Sequence, residues 1–458
     1  MKCEEFNADK LVELDKKYYW HHLTQHKVFE TQEPTIMVEG KGCIVKDVHG
    51  KEFLDGVSGG VWCVNVGYGQ DTIAEAIYEQ LKVLPYYAGS AGNPALLALA
   101  EKLTSLLPKL DKVYISNSGS EANEKAFKLS RQYSRLKYPS QDRYKIIFRE
   151  RDYHGTTLAA LSATGQPERK MGYEPLVPGF MGIAPAYCYR CSFGKSYPSC
   201  NMECAGDLEA KINQEGADTV AAVILEPITA GGGLIVPPDG YFEVIQEICQ
   251  KYDVLLIMDE VVCGFGRTGK MFGHEHFNVD PDMVTMAKGL ASAYMPISAT
   301  VIKQKLFDRF LADPSDTMHY FRDISTFGGS AAACAGANAN IKLIEQQKLC
   351  ENSKEMGDYL IGRLKELESF PIVGDIRGKG LFVGIEFVED KKTKAPVSEK
   401  VMGQILGNCT AQGVLLGKMN RSIPGFNNVL QIAPALIITK PEIDRIVDAI
   451  KNALEKVK

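Results

Sequence analysis

The 458-residue sequence has no apolar run approaching the roughly 20 residues needed to cross a bilayer, so nothing in it reads as a membrane span. It also lacks a basic excess: 52 lysines and arginines stand against 57 aspartates and glutamates, for a net charge of −5. That leaves no electrostatic footprint for nucleic acid and no polybasic anchor for a membrane surface. Met1–Lys10 is polar and acidic, without the apolar stretch of a secretory leader or the arginines of a transit peptide, so a cytoplasmic location is expected. Internal repeats and low-complexity tracts are missing as well. What remains has ordinary globular composition, 45% hydrophobic and 24% charged, and a length that predicts roughly three domains of about 150 residues.

The 12 cysteines are spread along the chain rather than gathered in a small disulfide framework, so most are expected to be reduced. Cys249, Cys263 and Cys334 sit in apolar contexts where a thiol packs as a small hydrophobe. Cys188, Cys191, Cys200 and Cys204 form a cluster whose spacing fits either a zinc site or a surface loop rich in thiols; no metal is assigned to it.

Short β-branched runs alternate with helical patterns, which predicts βαβ units around a largely parallel, buried sheet. The clearest strands are Lys112–Ser116, Lys145–Phe148, Thr219–Leu225, Val254–Met258, Met283–Met286 and Ile297–Ile302, with helices over Glu121–Leu136 and Tyr241–Lys251. Beyond these the pattern changes. Gly380–Phe387 and Val429–Ile438 read as strands, flanked by helical Ser353–Glu368 and Lys440–Val457. Gly42–Asp47 reads as an N-terminal strand, with His49-Gly50 supplying a hairpin turn. The expected architecture is α/β: a large domain over residues 71–330, and a small α+β domain built from 1–70 and 331–458.

In open α/β sheets ligands gather at the carboxyl ends of strands, so polar residues there come first. Val254–Met258 runs into Asp259, a carboxylate that needs a cationic partner if buried. Met283–Met286 leads to Lys288; desolvation lowers an amine from its usual pKa of about 10.4 and makes it a nucleophile for imine formation. A structural ion pair and a snorkelling lysine would look the same singly, but the two groups together fit one crossover unit. Ser118-Gly119-Ser120 lies between a strand and a helix, where free N–H groups make an anion site or a plain cap. Tyr153-His154-Gly155 follows another strand and places an aromatic where it can lie on a planar ligand. Gly264–Gly269 matches a dinucleotide fingerprint letter for letter, yet no helical period follows it, so it is discounted. His274 and His276 form an HxH without a third ligand.

Taken together, Ser118–Asn123, Tyr153–Gly155, Glu226-Pro227, Asp259–Gly269, Met286–Gly289 and Ser325–Gly329 resemble the class III aminotransferases, members of the fold type I pyridoxal-phosphate superfamily, over nearly the whole chain. The resemblance implies pyridoxal 5′-phosphate held as a Schiff base on Lys288, with Asp259 keeping the pyridine nitrogen protonated. It implies Gly119 and Ser120 on the phosphate, Tyr153 and Val261 on the two ring faces, and Thr326 reaching the neighbouring subunit's cofactor, hence a homodimer, with a tetramer left open. Val262 stands where many members have Gln.

Within the family, Leu14–Lys17, Trp20-His21, Val57–Gly69, Tyr87–Gly92 and Glu226–Gly233 are similar to the taurine–pyruvate branch. That similarity implies ping-pong transfer from an amino donor, taurine, to a keto acid, pyruvate, giving sulfoacetaldehyde and alanine. Trp62 is then a wall of the substrate pocket, Arg421 the ligand of the substrate's acid group, and Glu226 its resting partner. Aminotransferases of β-alanine, 4-aminobutyrate or other ω-amines, with pyruvate or 2-oxoglutarate as acceptor, are the alternative. An aminomutase of the type that makes 5-aminolevulinate would share fold and lysine but need no acceptor. A nucleotide-dependent dehydrogenase rests on Gly264–Gly269 alone, and a non-catalytic scaffold would not need Lys288 and Asp259 together.

Overall fold

Near its start the chain folds a meander of three strands, β1 (Met37–Lys41), β2 (Ile44–Asp47) and β3 (Glu52–Asp55). The β2–β3 turn falls at His49-Gly50: Asp47 Oδ1 accepts from the amides of His49 and Lys51 at 3.0 and 2.9 Å, and Gly50 takes φ +78°. A computed structural model describes residues 7–457. Six of the residues read above for the N-terminal location, Met1–Phe6, lie outside that range.

The central sheet comprises β4 (Lys112–Ser116), β5 (Lys145–Arg149), β6 (Phe180–Ile183), β7 (Val220–Leu225), β8 (Leu255–Asp259), β9 (Met283–Met286) and β10 (Ser298–Ile302), in the order β4-β10-β9-β8-β7-β5-β6. Every residue of β7, β8, β9 and β10 is buried, as expected of strands covered on both faces. Neighbours from β9 to β6 pair in parallel, whereas β10 runs antiparallel to both β9 and β4. The connection Ala287–Ile297 explains the reversal: it holds only a short turn at Lys288–Leu290 and no helix to carry a parallel crossover.

The C-terminal part adds β11 (Val373–Gly378), β12 (Val383–Phe387), β13 (Val414–Leu415), β14 (Gly417–Lys418) and β15 (Val429–Ile432). β11, β12, β15 and β14 form an antiparallel sheet, and β13 pairs in parallel with β3, so the two ends of the chain share structure. β15 stops at Ile432 rather than running to Ile438. Pro434 has no amide to donate, and Ala433 and Leu436 turn their N–H groups to Gly56 O and Asn65 O, both at 2.7 Å. β12 likewise starts at Val383, after a turn in which Gly380 has φ +58°.

The Gly264–Gly269 segment opens no helix. It is a buried turn that carries Arg267, whose guanidinium donates to Leu381 O (3.0 Å), Pro434 O (2.6 Å), Ser58 Oγ (3.0 Å) and Asn65 Oδ1 (2.8 Å). One side chain thus joins the early, middle and late parts of the chain. Burial without a carboxylate lowers its pKa to about 10.

Candidate active site

Four parallel strands deliver their polar successors to one edge of the sheet, the carboxyl edge where α/β proteins place ligands. β8 ends in Asp259, β9 is followed by Lys288, β7 by Glu226, and β5 by Tyr153 and His154. β4, parallel to them across β10, leads to Ser118–Ser120.

Asp259 is buried and held by three donors. Its Oδ2 accepts from Asn123 Nδ2 and from His154 Nδ1, each at 2.8 Å, and its Oδ1 from the amide of Val261 at 3.0 Å. Asn123 spends its second amide hydrogen on His154 O at 2.7 Å, which locks the pair together. Three donors thus satisfy a carboxylate that burial would otherwise leave unpaired. The His154 bond needs the Nδ1–H form of the ring, and the opposite nitrogen, Nε2, is buried without a partner.

Gly119 brings the helix Gly119–Lys137 against the residue after Glu260: a Cβ there would stand 3.0 Å from both methyls of Val261. Ser118 caps the helix by accepting from Glu121 N at 3.2 Å, while the amides of Gly119 and Ser120 have no partner within the helix. Ser120 Oγ accepts from Thr156 N at 3.0 Å and so docks the Tyr153–Thr156 turn onto the helix start. Only glycine fits at 155, where φ is +144° and a Cβ would lie 2.5 Å from Ser120 Oγ.

Lys288 adopts φ +41° in the turn after β9, a conformation that L residues avoid. Its Nζ sits 5.4 Å from the centre of the Trp62 ring, and among the described residues no carboxylate lies within ion-pair distance of it. Behind it, Asn340 Nδ2 donates to Gly289 O and Leu290 O at 2.8 and 2.9 Å. Trp62 itself closes a wide turn, Ser58–Trp62, with φ +61°, anchored where Ser58 Oγ donates to Ala433 O at 2.6 Å.

Glu226 is buried and accepts from Tyr153 N at 2.8 Å and Ala230 N at 3.1 Å. Burial, then the charges of Asp152 and Asp259, push its carboxyl well above the usual range. The expected resting pair between Glu226 and Arg421 is not formed. Arg421 is exposed, has φ +51° and pairs with Glu399. Its neighbours are fixed on either side, Asn420 O by Arg169 Nη2 at 2.9 Å and Ser422 Oγ on Gly231 O at 3.1 Å. Glu226, with both oxygens already on backbone amides, has no reason to reach for it.

Thr326 is exposed; the adjacent Ser325 Oγ accepts from Asn117 Nδ2 and donates to Glu121 Oε2, both at 3.0 Å, beside the helix start. Val262 is buried and apolar where a hydrogen-bonding side chain was an option. The four clustered cysteines surround a cavity of only about 20 Å³, their thiols free, and among the described residues no group of three or more His, Cys, Asp or Glu is set to hold a metal. His274 is taken up by Glu260 at 2.7 Å and His276 by Thr268 O at 3.0 Å, so the HxH pair is structural.

Sequence reasoning passed over His154 and Asn123 as partners of Asp259, and Arg169 altogether. His154 and Asn123 stood in the quoted segments, but their pairing joins positions far apart in the chain. Arg169 lay in a polar stretch without periodicity.

This arrangement was compared with known proteins. The model of the family described as Aminotransferase class-III matches residues 27–454. The chain is a class III aminotransferase. It is 52% identical over 453 residues to the taurine–pyruvate aminotransferase of Bilophila wadsworthia, covering 99% of this chain and 98% of that one. With the hypotaurine/taurine–pyruvate aminotransferase of Paracoccus denitrificans it shares 49%, covering 98% and 97%. Among solved structures, an aminotransferase of Bacillus anthracis superposes with a TM-score of 0.94 at 42% identity over 100% of both chains. An (S)-enantioselective ω-transaminase from Thermomicrobium roseum gives 0.91 at 35% over 99% of both.

As an aminotransferase of this family the enzyme is a fold type I protein that uses pyridoxal 5′-phosphate. The residues present fit that group. A buried carboxylate answers a pyridinium nitrogen, a lysine without an ion pair answers an aldehyde, and free helix amides answer a phosphate.

Proposed function

We propose that this aminotransferase moves the amino group of taurine to pyruvate, giving sulfoacetaldehyde and alanine in two half-reactions. The observation that carries the donor is the 52% identity, spread over 99% of the chain, to an enzyme named for that reaction. Bound cofactor supplies an electron sink for the carbon that loses its proton. Lys288 would hold the cofactor, and its amine, when free, would take the proton from the substrate carbon and hand it back within the bound pair. Its position beside Trp62, with no carboxylate on its amine, leaves it available for both tasks. Asp259 holds a proton on the ring nitrogen, and Asn123 and His154 hold Asp259. Gly119 and Ser120 bind the phosphate at the helix start, while Tyr153 and Val261 flank the ring.

Thr326, exposed on this chain, serves the neighbouring subunit's phosphate, which makes a homodimer the working unit in the cytoplasm. Trp62 and Glu226 border the substrate space and Arg421 stands at its rim. Glu226, whose carboxyl burial and the charges of Asp152 and Asp259 push upward, has both oxygens on backbone amides and borders that space as a fixed group.

The test is spectroscopic. The cofactor-loaded enzyme has a near-visible absorbance band that taurine bleaches and pyruvate restores, and Lys288→Ala lacks that exchange. A band that taurine leaves unchanged, but that β-alanine or another ω-amine bleaches, keeps the reaction class and replaces the donor.

A further inference from the structure

The substrate must present an acid group, and Arg421, the cation the sequence offered for it, already has a carboxylate. Arg169 has none. It stands in the short helix Pro167–Lys170 with its guanidinium carbon 5.5 Å from the centre of the Tyr153 ring. Its one hydrogen bond among the described residues runs from Nη2 to Asn420 O at 2.9 Å, and its Nε is buried without a partner. The nearest acidic neighbour, Glu168, turns its Oε2 to Asn427 Nδ2 at 3.1 Å and forms no ion pair with it.

The surroundings place this cation at the substrate space. Asn420, which Arg169 holds, is two residues from Ser422, and Ser422 Oγ donates to Gly231 O at 3.1 Å. A Cβ on Gly231 would lie 3.9 Å from Trp62 Cη2, and Trp62 lies against Lys288. Tyr153, Arg169, the 420–422 strap, Gly231, Trp62 and Lys288 therefore form a run of neighbours that links the guanidinium to the lysine. A half-buried guanidinium without a counter-ion is an unstable arrangement that an incoming anion relieves, and its planar fork suits the oxygens of a sulfonate or a carboxylate.

We propose that Arg169 is the specificity-determining residue that binds the acid group of the substrate, the sulfonate of the donor and the carboxylate of the acceptor. This rests on the aminotransferase reading above but not on taurine in particular, since the shared chemistry is an oxyanion beside an amine or carbonyl. Burial lowers the Arg169 pKa, and Tyr153 and Glu168 work against that lowering; the group remains a cation at neutral pH.

The experiment measures binding of ethanesulfonate and of propanoate, which cannot react, to the cofactor-loaded enzyme by calorimetry. Arg169→Gln is expected to weaken both by roughly ten- to a hundredfold, the loss of a charged hydrogen bond, and Arg169→Lys by less. In the donor half-reaction alone, followed as single-turnover band decay without keto acid, the taurine concentration for half-maximal rate rises in Arg169→Gln, while that for 1-phenylethylamine, a donor without an acid group, stays as it was. Unchanged anion affinity in Arg169→Gln overturns the proposal, as does an unmutated enzyme that binds neither anion, or an equal loss of the single-turnover rate with both donors. If the unmutated enzyme binds ethanesulfonate but does not turn over taurine, the donor assignment fails and Arg169 stands. If taurine is turned over and Arg169→Gln binds as before, the reverse holds.

Discussion

His154 Nδ1 lies 2.8 Å from Asp259 Oδ2, the same oxygen that accepts from Asn123 Nδ2, so the carboxylate proposed to serve the cofactor nitrogen is oriented from two sides. Both act through Asp259, which they hold in place. His154→Phe and Asn123→Leu are each expected to slow the first half-reaction by roughly ten- to a hundredfold, the scale of a hydrogen bond to a charged group. Asp259→Ala should cost more, about 10²–10³ in rate, as loss of a preorganised charge does. Single-turnover traces of band decay check both, and a His154→Phe rate equal to the parent's would deny it a positioning role.

Arg267 offers a stability prediction. It is fully buried, has no carboxylate, and satisfies four oxygens from distant parts of the chain. Arg267→Ala strands those acceptors and is expected to cost about 3–5 kcal/mol, from several buried oxygens each left without a donor at about 1–3 kcal/mol. Urea denaturation of the cofactor-loaded enzyme reads this directly. A loss under about 1 kcal/mol would mean that water replaces the guanidinium.

A backbone contact gives a second one. Gly380 has φ +58°, and a Cβ on it would stand 2.3 Å from the carbonyl carbon of Thr268 in the turn that carries Arg267. Gly380→Ala should therefore destabilise by roughly 1–3 kcal/mol or more through overpacking and strain. Gly172→Ala, with φ +85° but open space around it, isolates the conformational part and should cost less. Thermal melts of the two variants compare them.

His276 makes stability depend on acid. Partial burial, together with Lys379 and Lys270, lowers its pKa from 6.5 to about 4. A depressed histidine binds its proton more readily when unfolded, so its contribution is present above pH 6.5 and is lost as pH falls towards 4. His276→Gln is expected to flatten the decline in melting temperature across that window by a few degrees. Parallel slopes in parent and variant would show that other groups govern it.

Much of this protein was legible in its sequence because the information is local. Lys112–Ser116 and Met283–Met286 read as strands and are strands with the same bounds, since an apolar β-branched run between helices has few other uses. The family likeness carried the fold, the cofactor and the reaction class. The reversal of β10 was not readable: hydrophobic runs report burial but not direction, and only the helix-free link through Lys288 decides it. Strand ends were overextended where Pro434 diverts the backbone to partners hundreds of residues away and where the Gly380 turn delays the start of β12. The same distance hid the Asp259 partners and gave Arg421 to Glu399, because which charges meet is settled by loops rather than by spacing.

The position of Trp62 also bears on how the chain comes off the ribosome. The turn that presents it is fastened at Ser58 to Ala433 O and to Arg267, which itself waits for Pro434 O. Synthesis therefore delivers Lys288 and the whole central sheet well before the indole that faces the lysine can be locked in place. A nascent chain halted short of residue 433 would display the sheet's carboxyl edge with the Ser58–Trp62 segment still unfastened.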